Sequence, residues 1–191
     1  MEARNIDSYI LVIPDLLTHD LCAEIIKEYE DSDDWEDPFI DTGTSTGITD
    51  KSARNCQVLY MSYHETINKN PPNRKYLDRA IFNAASKAIE AYSNICPSLV
   101  VQRDSGYRLL KYKEGGFYRE HTDNLPDESR SVSCSFFLDD GYEGGELVFW
   151  GTKKIKATKG SAILFPSNFM YPHQIAPVLS GCRHSIVTWF V

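Results

Sequence analysis

From Gly106 onward the chain offers only short strand-like runs cut apart by Gly, Asp and Pro clusters, at 107–113, 132–138, 146–150, 153–157, 161–165 and 184–191, with no helical segment among them. Many short strands must close on themselves or stack as two sheets, because one open sheet would leave long edges and an uncovered apolar face. The first half reads differently. Residues 9–13 form a β-branched and aromatic run stopped by Pro14, and residues 56–61 form a second. Between them, Thr18 stands at an N-cap position, Asp20 falls in the first turn, and Leu21, Cys22, Ile25, Ile26 and Tyr29 recur at helical spacing. After Pro71-Pro72-Asn73, a second helix ending near Asn94 carries Tyr76, Leu77, Ala80, Ile81, Ala84, Ala88, Ile89 and Tyr92 on one apolar face. Helices followed by a run of strands predict an α+β, mostly β architecture: a double-stranded β-helix, or jelly roll, supported by N-terminal helices.

At 191 residues and 42% hydrophobic, the chain is long enough for one well-buried core, so the expectation is a single domain over 1–191. Within it, 1–105 supplies helical support and 106–191 the jelly-roll core. Residues 31–51, acidic and rich in Gly, Thr and Ser, read as either a lid or a plain loop. With 27 acidic against 20 basic residues the net charge is −7, and no block of Lys or Arg forms a stripe that would hold a phosphate backbone. Nucleic acid is thereby excluded as the expected partner. No apolar run is long enough to cross a bilayer and the first residues lack signal-peptide character, so no membrane partner and a cytoplasmic location are expected. The five cysteines are widely spread without a C-x-x-C pair, and read as reduced and mostly buried.

Chemistry concentrates in Tyr112-Lys-Glu-Gly-Gly-Phe-Tyr-Arg-Glu-His121-Thr-Asp123-Asn124, answered by His173 and then Arg183. On a strand, His-x-Asp places both side chains on one face. Two histidines and one carboxylate are the donor set of a non-haem iron(II) site, which leaves coordination positions open. Arg183 offers a planar fork matching a carboxylate in bidentate fashion, as a dicarboxylate cosubstrate would require. The plainer alternatives are hydrogen-bonded structural histidines and an ion pair at a strand end.

These residues resemble a known family. The blocks Tyr112-x-x-Gly-Gly-x-x-x-x-His121-x-Asp123-Asn124, Arg130-Ser-Val-Ser-Cys-Ser-Phe-Phe-Leu138, Gly144-Gly-Glu-Leu147, Lys159 through Pro166 and His173 through Arg183 are similar, in order, to the iron(II)- and 2-oxoglutarate-dependent dioxygenases. The match is to the prolyl 4-hydroxylase-like branch, which includes the PKHD-type and hypoxia-sensing prolyl hydroxylases; it is close over 106–191 and looser before. The resemblance implies that His121, Asp123 and His173 bind the iron, that Arg183 grips the C5 carboxylate of 2-oxoglutarate, and that Tyr112 reaches the cosubstrate near its C1 end. Phe137 stands where some relatives have a tyrosine supporting that arginine, so the second donor to the C5 carboxylate must come from elsewhere, Ser133 or Ser185. Arg130, Trp189 and Tyr118 are the implied substrate contacts.

The implied reaction consumes Fe(II)-bound 2-oxoglutarate and O2, with ascorbate as a reductant, releases succinate and CO2, and hydroxylates proline in a peptide or protein. Two other readings stand beside it. One is the same chemistry on a free amino acid or other small molecule; the other is a non-catalytic jelly-roll binding or sensor module.

Overall fold

Local sequence sets both helices. A computed structural model of the chain describes residues 5–40, 47–61, 72–125, 129–156 and 158–191. Helix α1 (His19–Tyr29) begins where Thr18 Oγ1 accepts a hydrogen bond from Leu21 N at 3.2 Å, and it buries Cys22, Ile25 and Tyr29. Helix α2 (Pro72–Ser93) opens on a proline, whose missing N–H would be unpaired in the first turn anyway. It buries Leu77, Ile81, Ala84, Ala85, Ala88 and Tyr92. Tyr76, expected on that face, is 60% exposed. It lies one residue, about 100° of rotation, before Leu77, outside the stripe that faces the core.

The strands are β1 (Leu11–Ile13), β2 (Arg54–Asn55), β3 (Gln57–Tyr60), β4 (Arg108–Tyr112), β5 (Phe117–His121), β6 (Val132–Phe137), β7 (Glu143–Gly144), β8 (Leu147–Phe149), β9 (Lys153–Ile155), β10 (Ala162–Pro166), β11 (His173–Ile175), β12 (Val178–Ser180) and β13 (Arg183–Phe190). A six-stranded sheet has the order β1-β10-β6-β13-β4-β3, a five-stranded sheet β2-β5-β11-β8-β9, and β12 pairs with β7. All pairings are antiparallel.

Alternation along the large sheet builds two cores. Val132, Cys134 and Phe136 of β6, Ala162 and Leu164 of β10, and Ile186 and Phe190 of β13 pack with Leu77, Ile81 and Ala88 of α2. The intervening residues, including Phe137, Ile163 and Phe165, point the other way and pack with Leu147, Phe149 and Ile175 of the small sheet. This is the expected jelly roll with helices behind its larger sheet. The first half also lends strands β1, β2 and β3 to the sheets. The expectation that His-x-Asp lies within one strand is corrected: β5 ends at His121, and Asp123 falls in the irregular segment beyond it. Strands β2, β7, β11 and β12 are two or three residues long, too short to show a periodicity in sequence.

Of segment 31–51, residues 41–46 lie outside the described residues, as does Ala157 of the expected strand 153–157. The flanks of 41–46 are pinned: Glu36 exchanges backbone hydrogen bonds with Val58, and Ile40 with Ile48. All five cysteines are free, three of them buried. No helix of the described residues is long and apolar enough to cross a membrane.

Candidate metal centre

Pairing between β11 and β5 sets His173 directly opposite His121, although the two are 52 positions apart in the chain. Directly opposed residues of an antiparallel pair bring their Cβ atoms within about 4.5–5.5 Å, and the two imidazole centroids stand 4.4 Å apart. Asp123 reaches between them from the segment after β5. Its Oδ1 lies 3.6 Å from His121 Nε2 and its Oδ2 lies 3.6 Å from His173 Nε2. One donor atom from each of the three side chains falls within 4.8 Å of the other two, the only such grouping among the described residues.

Both rings are held in the orientation a metal requires. His121 Nδ1 lies 2.8 Å from the Arg119 carbonyl and His173 Nδ1 lies 3.1 Å from the Tyr171 carbonyl. A carbonyl can only accept, so each Nδ1 carries the proton and each Nε2 presents a lone pair. Burial, with His173 adding to it, pushes His121 down to about 3, so its ring is neutral near neutral pH. Burial also works to raise the Asp123 carboxyl, but His173, His121 and hydrogen bonds from Ser133 and Trp189 outweigh it and hold it below the usual carboxylate range. Two imidazole nitrogens and one ionised oxygen donor suit a divalent first-row metal.

The walls fix these donors further. Tyr118 stacks on His121 at 3.6 Å between ring centroids, and the Arg54 guanidinium lies 4.5 Å over the Tyr118 ring. Phe165 meets His173 edge-on at 4.8 Å. Ser133 Oγ donates to Asp123 Oδ2 at 2.6 Å and shares a hydrogen bond with Ser167 Oγ at 2.8 Å.

Arg183 lies deeper, on the inner face of β13 beside Tyr112, and is 2% exposed. Its guanidinium sits 5.3 Å from the Tyr112 ring centroid and 5.5 Å from that of Phe137, and Nη1 donates to Ser185 Oγ at 2.9 Å. Its Nε is buried without a hydrogen-bond partner, and no carboxylate pairs with it among the described residues. A buried cation with an orphaned donor is costly unless an anion completes it. Gly145 makes room for it: a Cβ there would stand 3.1 Å from Arg183 Cδ and 3.2 Å from Tyr142 Cε2, at a φ of +63°. Tyr142, missed in the sequence, presents its phenol oxygen as an acceptor to the Arg183 guanidinium; burial raises the phenol while the guanidinium pulls the other way.

Of the two serines expected near the far carboxylate, Ser185 touches Arg183 and Ser133 does not. Ser133 pairs across the sheet with Trp189 and Phe137 with Ser185, which puts the two serines four positions apart along the strand, roughly 13 Å. Ser133 holds Asp123 instead. Tyr112 is almost wholly buried, and burial, with Cys56 adding to it, raises its phenol well above the ordinary range. Trp189 lies under two guanidiniums, Arg130 at 3.9 Å and Arg108 at 4.7 Å, and Arg130 Nη1 donates to the Asp123 carbonyl at 3.3 Å. Arg54, Arg108, Tyr142 and Ser167 had no signal in the sequence: Arg54 lies on a two-residue strand, Arg108 opens β4, and Tyr142 and Ser167 lie in the segments that flank β7 and β10, so only the fold brings them to the site.

Comparison with known proteins decides the family. Residues 107–191 match the model of the 2OG-Fe(II) oxygenase superfamily. A PKHD-type hydroxylase of Stenotrophomonas maltophilia is 31% identical over 193 residues, covering 94% of this chain and 77% of that protein. The chain belongs to the 2OG-Fe(II) oxygenases, with the PKHD-type hydroxylases. A PKHD-type hydroxylase of Alteromonas mediterranea is 40% identical over 92 residues, covering 41% of this chain and 40% of that protein.

Solved structures agree on the fold of this oxygenase. A prolyl-4-hydroxylase of Pseudomonas putida superposes with a TM-score of 0.70 at 19% identity, covering 95% of this chain and 91% of that one. A prolyl hydroxylase of Trichoplax adhaerens, solved with a hypoxia inducible factor oxygen degradation domain peptide fragment, gives 0.71 at 16% identity, covering 96% and 83%. The protein is a 2-oxoglutarate-dependent dioxygenase that uses Fe(II), 2-oxoglutarate and O2.

Proposed function

We propose that this oxygenase hydroxylates proline in a peptide or protein, with His121, Asp123 and His173 holding the iron and Arg183 anchoring the C5 carboxylate of 2-oxoglutarate. When bound, iron(II) with 2-oxoglutarate and dioxygen supplies an oxidant able to hydroxylate an unactivated C–H bond, the cosubstrate leaving as succinate and CO2. The observation that carries the reading is the pairing of three converging donors with a buried guanidinium on the adjoining sheet, which no carboxylate pairs among the described residues and whose Nε has no hydrogen-bond partner. In this reading the protein's part is orientation. The carbonyls of Arg119 and Tyr171 keep both Nε2 atoms free, Ser133 aims the carboxylate, and Tyr118 braces His121. Arg183 receives the far carboxylate with Ser185 and Tyr142 as flanking hydroxyls, and Tyr112, its ring 5.3 Å from that guanidinium, reaches the cosubstrate near its C1 end.

Substrate would approach past Arg130 and Trp189, where Arg130 already bridges the indole and the Asp123 backbone. Arg130 would offer a hydrogen-bond donor, and Trp189 an aromatic wall, to a peptidyl proline. The chain would act as one domain over 1–191. The testing experiment incubates iron-loaded protein, 2-oxoglutarate, oxygen and ascorbate with proline-containing peptides, free proline and other amino acids. Addition of one oxygen to a peptidyl proline supports the reading; oxygen added only to a free amino acid replaces it with the small-molecule one.

A further inference from the structure

Both sequence neighbours of Arg183 belong to a second cluster, outside the metal centre. Alternation along β13 turns Arg183 inward and His184 outward, and the His184 ring is buried against Asp139 and the end of α1. Its Nδ1 donates to Asp139 Oδ2 at 2.6 Å, and the same carboxylate accepts the His184 backbone N–H at 3.0 and 3.2 Å. Its Nε2 stands 3.3 Å from Glu30 Oε2 and 3.6 Å from Cys182 Sγ. Lys111, buried on β4, reaches Glu30 Oε1 at 3.1 Å and lies 4.6 Å over the Trp35 ring. With His184 protonated, the two cations His184 and Lys111 face the two carboxylates Asp139 and Glu30, and the Cys182 thiol lies against the imidazole. Burial opposes that protonation, but hydrogen bonds to Asp139 and Cys182 raise the imidazole to about 9.

We propose that Cys182 is a modification site, a half-buried thiol set against the His184–Asp139 pair that exchanges with low-molecular-weight disulfides and thereby weakens 2-oxoglutarate binding at Arg183. Reactive thiols combine partial access with an adjacent cation. Cys22, Cys56 and Cys134 are buried, and burial pushes the Cys22 thiol up to about 11. Cys96 is half-buried like Cys182, but among the described residues no imidazole hydrogen bonds to it.

In the exchange, Cys182 releases its proton to solvent and its thiolate is held by the His184 Nε2–H. It attacks one sulfur of the disulfide; the new S–S bond forms as the old one breaks, and the departing thiolate takes a proton from solvent. The Cys182 sulfur is oxidised and the departing sulfur reduced, so no further electron carrier is needed.

Coupling to the cosubstrate follows from the packing. The turn before β13 presses on the segment after β6: a Cβ on Gly181 would stand 3.1 Å from Gly141 O and 3.2 Å from Tyr142 Cα. That segment carries Asp139, which holds His184, and Tyr142, which flanks Arg183. An adduct on Cys182 that parts His184 from Asp139 therefore displaces the Arg183 pocket. This second half rests on the assignment of Arg183 as the cosubstrate anchor.

The test treats the whole protein with oxidised glutathione near neutral pH, maps adducts by peptide mass spectrometry, and measures 2-oxoglutarate binding to manganese-loaded protein before and after. The expected result is modification of Cys182 at least tenfold faster than Cys96, at least fivefold slower modification in His184→Gln, and several-fold weaker 2-oxoglutarate binding by the adduct. Cys182→Ser should keep its affinity through the same treatment. A Cys182 rate no greater than that of Cys96 in the wild type overturns the site, whether or not His184→Gln folds. Unchanged binding by the fully modified protein, with binding weakened in Arg183→Ala, overturns the coupling alone; unchanged binding in Arg183→Ala instead removes the anchor on which the coupling depends.

Discussion

At the scale of single residues, the site depends on groups that hold the donors as much as on the donors themselves. Ser133 donates to the Asp123 oxygen that faces His173. Partners of this kind typically change metal affinity by about 10–100-fold when removed, so Ser133→Ala is expected to weaken iron or manganese binding by roughly that factor while leaving 2-oxoglutarate saturation of the loaded protein near wild type. Metal titration checks it, and unchanged affinity would show that Asp123 needs no help. Arg183→Ala should do the reverse, raising the 2-oxoglutarate needed for half-saturation far more than the metal needed, because the buried guanidinium lies against Ser185 and Tyr142 and away from the three donors. The donor residues were legible from spacing and resemblance. Tyr142 was not, since a tyrosine in an acidic turn gives no sign that the turn folds back on an arginine 41 positions later.

At the scale of elements, the helices and long strands could be read because each repeats its pattern several times. Thr18 capping α1 and the stripe from Leu77 to Tyr92 on α2 are examples. The short strands β2, β5 and β11 carry the site, yet their place is set by pairing across the sheet, such as His173 against His121 and Arg54 against Tyr118. Pairing between distant segments has no local signature. The turn between β7 and β8 shows the reverse case, where a Gly-Gly visible in sequence acquires its reason only from the fold. Gly145→Ala would force a side chain at positive φ against Arg183. It is expected to raise the 2-oxoglutarate requirement several-fold and to lower the unfolding free energy by about 1–3 kcal/mol. Saturation curves and chemical denaturation measure both, and a variant matching wild type in saturation would show that the guanidinium tolerates the displacement.

At the scale of the whole molecule, the helical layer is tied to the barrel through His184, Asp139, Glu30 and Lys111. The folded-state value of His184 is raised, so its contribution to stability is fully present below the unfolded value near 6.5 and lost as pH rises through about 9. Denaturation should accordingly show stability falling across that window in wild type and a flatter profile in His184→Gln; a fall of the same size in the variant would assign it to other groups. The mostly β jelly roll with helices behind it was legible from the order of periodicities, while the role of this outer cluster was not, because Cys182 and His184 look like ordinary flanks of Arg183 in the chain. The most direct test of the whole account is succinate formation from 2-oxoglutarate by anaerobically iron-loaded protein exposed to oxygen with ascorbate. The account predicts iron-dependent succinate in wild type that is lost in both Asp123→Ala and His173→Ala with the fold retained. Undiminished succinate in either variant, or none from iron-loaded wild type with any substrate supplied, would contradict it.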